Sequence, residues 1–77
     1  MPSIYSPEYK AFLTRLRQMR RDKGLTQVQV ARRLGKPQSF VSKIERGERR
    51  LDPLELKALA KLYGASIDRL LGGARAH

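Results

Sequence analysis

The sequence predicts an all-α fold, a bundle of five short helices. Three observations predict it. Apolar residues recur three or four apart in five successive stretches, the spacing that gathers side chains on one face of a helix. Alternation with period two is absent and β-branched residues are sparse, which argues against strands. Five of the six glycines stand just beyond an apolar stretch, where a helix C-terminus favours a residue that tolerates positive φ.

Each element follows in order. Ser6-Pro7-Glu8 reads as an N-cap followed by proline at the first helical position, and Tyr9, Phe12, Leu13, Leu16 and Met19 make a stripe, giving a helix over about 7–23. Thr26 and Gln29 form a capping box ahead of Val30, Ala31 and Leu34, giving a helix over 27–34. Phe40, Val41 and Ile44 mark a third helix over 38–46. Asp52-Pro53-Leu54-Glu55 combines both start signals before Leu56, Leu59, Ala60 and Tyr63, giving 53–63. Ser66 caps a last turn over 67–71, with Asp68 at its positive end and Ile67, Leu70 and Leu71 as its apolar residues.

At 77 residues the chain is expected to form one domain, with its core over about 7–71 and disordered tails at 1–5 and 73–77. There is no cysteine, and the lone histidine is His77, so neither a disulfide nor a cysteine or imidazole metal site is expected. No apolar run approaches the roughly 20 residues of a membrane span, and the N-terminal residues do not read as a signal peptide. A cytoplasmic, soluble protein is expected, without cofactor, small-molecule ligand or membrane partner. The same poverty of histidine, cysteine and paired carboxylates argues against an enzyme.

Charge supplies the first positive clue. The formal net charge is +10, and the stretch from Lys10 to Arg50 alone carries +10 while residues 51–77 carry +1. A basic chain with enough apolar residues to fold suits an anionic partner, nucleic acid before an acidic membrane surface. The cations of the first helix, Arg15, Arg17, Arg21 and Lys23, lie around most of its circumference and cannot all face one partner. Arg32 and Arg33 are adjacent and point in different directions.

The second and third helices are the informative pair. Leu34-Gly35-Lys36-Pro37 joins them by a link short enough to force a steep crossing. Ala31 is small where the two would approach, and Gly35 gives the turn its backbone freedom. With Val30, Leu34, Val41 and Ile44 inward, Gln38, Ser39, Ser42 and Lys43 occupy the outer face of the third helix. A helix with short polar side chains at its leading end suits the DNA major groove, about 12 Å wide.

At these residues the chain resembles a known family. Leu25-Thr26-Gln27, Val30-Ala31, Leu34-Gly35 and the run from Gln38 through Ile44-Glu45-Arg46-Gly47 are similar to the phage-repressor and Cro-type helix-turn-helix family, also called the Xre family. The resemblance spans about Leu16 to Leu71. It implies a lambda-repressor-like five-helix domain that binds double-stranded DNA and regulates transcription, usually as a two-fold homodimer on an inverted repeat. It also implies that Gln27 contacts a phosphate and braces Gln38, and that Gln38, Ser39, Ser42 and Lys43 read bases. Glutamine suits adenine because its amide serves N6 and N7 together. Arg20 and Glu45 match a partly buried salt bridge between the first and third helices. The loop containing Arg46, Arg49 and Arg50 matches a segment that follows the DNA backbone.

Two departures stand out. Lys36 replaces a frequent hydrophobic residue in the turn, and Pro37 replaces a frequent polar residue at the start of the recognition helix. Pro37 is then a candidate contact for a thymine methyl. Phe40 is a second candidate contact, although its spacing with Val41 and Ile44 favours packing. Leu54, Ala58 and Leu62, with Leu70 and Leu71, form a further apolar line that serves either as a dimer surface or as monomer core. The alternative function is a protein-interaction module of the same fold, an antitoxin or an adaptor. No toxin-wrapping extension is evident in the sequence.

Overall fold

A computed structural model describes residues 6–72. The expected tails at 1–5 and 73–77, with His77, lie outside the described residues. Helix α1 runs Pro7–Asp22, α2 Gln27–Leu34, α3 Gln38–Glu45, α4 Pro53–Tyr63 and α5 Ile67–Leu70. All described regular structure is helical, as the spacing predicts.

The starts follow the polar signals in the sequence. Ser6 Oγ accepts from Tyr9 N–H at 3.1 Å and Ser66 Oγ accepts from Arg69 N–H at 3.0 Å. Thr26 with Gln29 and Asp52 with Glu55 make reciprocal capping boxes. Helix α3 differs: Pro37 is its N-cap and supplies no side-chain hydrogen bond.

Three helices end one residue before the expected boundary, because Lys23, Arg46 and Leu71 serve as C-caps. The chain closes behind α3 with Gly47 at φ 77°, which lets Glu48 N–H reach back to Lys43 O at 2.8 Å. Between α2 and α3, Gly35 at φ 68° turns the chain so that Lys36 N–H bonds Ala31 O at 2.9 Å. Both positions require the left-handed region, where a side chain would be strained.

The core is built from one stripe per helix. Phe12, Leu13 and Leu16 of α1 join Val30 and Ala31 of α2, Phe40, Val41 and Ile44 of α3, Leu59, Ala60 and Tyr63 of α4, and Leu70 of α5. The α2 and α3 helices pack most extensively against each other, while α1 supports α3 from behind and also touches α5. Arg15 Nε bonds Leu70 O at 2.7 Å, tying α1 to the end of α5. This arrangement fixes α3 by its apolar side and leaves its other side to solvent.

Candidate nucleic-acid interface

Eight residues of helix make α3 about 12 Å long. Phe40, Val41, Ile44 and Glu45 are buried, whereas Gln38, Ser39, Lys43 and Arg46 are exposed and Ser42 is half-buried. The four side chains expected to read bases therefore share one face. Pro37 is exposed at its leading end.

Behind that face lies a polar anchor. Arg20 Nε donates to Glu45 Oε2 at 2.7 Å and Arg20 Nη2 to Oε1 at 3.1 Å, a fork across α1 and α3. Arg20 Nη1 also bonds Leu25 O at 2.8 Å, so the same guanidinium secures the chain entering α2. Arg20 is only 9% exposed and Glu45 only 3%. The hydrogen bond to Glu45 raises the Arg20 pKa against the opposing effect of burial, keeping the guanidinium charged. Tyr63 is buried in the field of the same pair, and burial pushes its hydroxyl pKa up, so it stays neutral.

Gln27, at the start of α2, donates Nε2 to Glu45 Oε1 at 3.0 Å. Its brace is Glu45, where the resemblance implied Gln38. The reason is geometric: the carboxylate presents a charged acceptor at the α1–α2–α3 junction, and a charged acceptor outcompetes an exposed amide.

The packing bears on three further site residues or groups. Phe40 is not open to a duplex. It is buried, with the Arg49 guanidinium carbon 4.6 Å and Lys36 Nζ 5.4 Å from its ring centroid. Arg49 is turned toward α4, where Nη1 and Nη2 fork onto Glu55 at 2.8 and 2.9 Å and Nη1 also bonds Arg50 O at 2.8 Å. It clamps the α3–α4 loop, so its hydrogen-bonding capacity is largely used within the chain. Leu70 is fully buried and Leu62 half-buried, which leaves Leu54, 76% exposed, Leu71, 60% exposed, and the small Ala58 on the candidate dimer line. Arg50 is exposed on the same loop, and Arg46 pairs with Glu48 at 3.1 Å in a solvent-exposed contact. Such a contact is worth at most about 1 kcal/mol and yields readily to a phosphate.

The Arg49–Glu55 clamp carries a pH signature. The Arg49 guanidinium holds the Glu55 carboxyl below its usual range; burial opposes this, and the Asp52 N–H reinforces it. A depressed folded-state pKa means that the stabilisation is fully present above the ordinary glutamate value, about 4.3, and is lost as pH falls through the lower folded value. Thermal unfolding of the protein and Glu55→Gln should therefore converge as pH drops below that range, the wild type losing more. Parallel acid profiles would show that the clamp contributes nothing.

Comparison with known proteins agrees with this architecture. Residues 16–70 match the helix-turn-helix family. A protein of Sinorhizobium fredii (strain NBRC 101917 / NGR234), named an uncharacterized HTH-type transcriptional regulator y4dJ, is 44% identical over 48 residues, 62% of this chain and 62% of that relative. The chain thus spans less than two thirds of the length of the relative. Among the described residues no helix is long and apolar enough to cross a membrane.

Proposed function

Because the chain belongs to the Xre-type helix-turn-helix family, we propose that it is a sequence-specific regulator of transcription that binds double-stranded DNA. The observation that carries this reading is the division of α3: apolar residues and Glu45 locked inside, Gln38, Ser39, Ser42 and Lys43 presented outside. In this reading α3 lies in the major groove. Gln38 sits at its leading end and reads an adenine, Ser39 and Ser42 adapt to neighbouring edges, and Lys43 takes a guanine or a phosphate. Pro37, exposed beside Gln38, meets a thymine methyl. Gln27, Arg46 and Arg50 hold the phosphate backbone and set the register without reading sequence.

The protein acts as a cytoplasmic repressor, a single domain reading one half-site and a homodimer reading an inverted repeat about one helical turn apart. The exposed Leu54 and Leu71 side chains support an interface, since large apolar residues left open to water favour association.

Selection of duplexes from a random pool tests the proposal. The expected outcome is one enriched motif, symmetric if the dimer reading holds. Gln38→Ala should weaken the best site by about 1–3 kcal/mol and relax preference at one position per half-site. An unchanged motif with Gln38→Ala would remove Gln38 from the reading face.

A further inference from the structure

Glu45 collects more donors than Arg20 and Gln27. Arg17, on α1, places Nε 3.8 Å from Glu45 Oε1 and donates Nη2 to the Glu45 main-chain carbonyl at 3.2 Å. The two contacts differ in kind. The Arg20 fork at 2.7 and 3.1 Å already neutralises the carboxylate. Arg17 is held mainly through the carbonyl, at the C-terminal end of α3, and its positive charge is surplus to the pair. Its side chain is 44% exposed, against 10% for Arg20. Among the described residues Nη2 makes its one hydrogen bond and Nε its one ion-pair approach, so a five-donor guanidinium keeps donors to spare.

The position of this charge matters. Glu45 follows Gln38 by seven residues and Ser42 by three, so all three lie along one edge of α3. Gln27 and Arg17 converge on Glu45 Oε1 and therefore flank that edge together. A helix seated in a major groove has a phosphate ridge along each edge. On the opposite side, Arg49 is committed to Glu55.

We infer that Arg17 is a phosphate-gripping residue, paired with Gln27 and pre-positioned by the Glu45 carbonyl at the border of the reading face. The inference rests on the proposed duplex-binding reading of α3. In this arrangement Glu45 does double service: its side chain fixes α3 to α1, and its main chain aims a cation along the groove margin.

The test is Arg17→Gln, which keeps a donor for the carbonyl and removes the charge, with Arg17→Lys as the charge-retaining control. Binding to the preferred duplex and to a mixed-sequence duplex is followed by fluorescence anisotropy across a salt series, with thermal unfolding of each variant alongside. Arg17→Gln should weaken both duplexes by a common factor and lower the slope of log K against log salt by about 0.9, the contribution of one phosphate. Arg17→Lys should retain the wild-type slope. A lower melting temperature with an unchanged slope, or no change in either, overturns the inference while leaving the duplex-binding reading intact. Absence of salt-sensitive duplex binding by the wild type overturns both.

Discussion

Replacing Glu45 with alanine is expected to destabilise the protein by about 3–5 kcal/mol, the usual cost of leaving a buried charge without its partner. The uncompensated group is Arg20, 9% exposed and held in place by its bond to Leu25 O. Domains of this kind have total stabilities of about 5–15 kcal/mol, so the variant would be partly unfolded at moderate temperature. The loss also reaches the proposed interface, because Gln27 loses its acceptor. Removing both charges should behave differently. Arg20→Met with Glu45→Leu replaces a buried pair by apolar groups of similar volume, a change that is often neutral for stability. The double variant should therefore fold better than Glu45→Ala yet bind DNA worse than wild type, since Gln27 has no carboxylate to brace it. Denaturant unfolding of the three proteins decides the matter. A Glu45→Ala variant within about 1 kcal/mol of wild type would mean that the carboxylate is not the anchor described.

The second large effect concerns the apolar side of the same helix. Ile44 is 1% exposed in the last turn of α3. Truncation to alanine removes buried methyl groups and leaves a cavity that close-packed neighbours only partly fill, at a cost of about 2–5 kcal/mol. Ser39→Ala, on the exposed face of α3, should change stability by no more than about 0.5 kcal/mol. The pair separates the two roles of one helix. Ile44→Ala should lower the denaturation midpoint sharply, whereas Ser39→Ala should leave folding alone and alter base preference. Comparable stability losses in the two variants would contradict the orientation of α3.

Most of the fold was legible in the sequence because its signals are local. Thr26 and Gln29, or Asp52 and Glu55, lie within one helical turn, so their capping partnership is visible as spacing. The outward face of α3 was legible for the same reason, through the positions of Phe40, Val41 and Ile44. What escaped was set by side chains distant in sequence. The Arg17–Glu45 contact joins residues 28 apart and the Arg15–Leu70 bond residues 55 apart, and no periodicity announces either. The resemblance implies a phosphate contact for Arg49, but Glu55, placed by its capping bond to Asp52 N–H, offers a nearer anion. Leu70 and Leu71 show a third limit. Neighbouring helical residues point about 100° apart, so one enters the core and the other does not. A four-residue helix is too short for a stripe to say which.

In the proposed complex the polar face of α3 is the surface that meets the duplex. The most direct measurement is the change in backbone amide NMR signals on adding the preferred duplex to the full chain. The largest changes are expected at Gln38, Ser39, Ser42 and Lys43, with Gln27 and Arg17 next, and small changes along α4 away from any dimer contact. Largest changes on α4 or α5 with α3 undisturbed would contradict it.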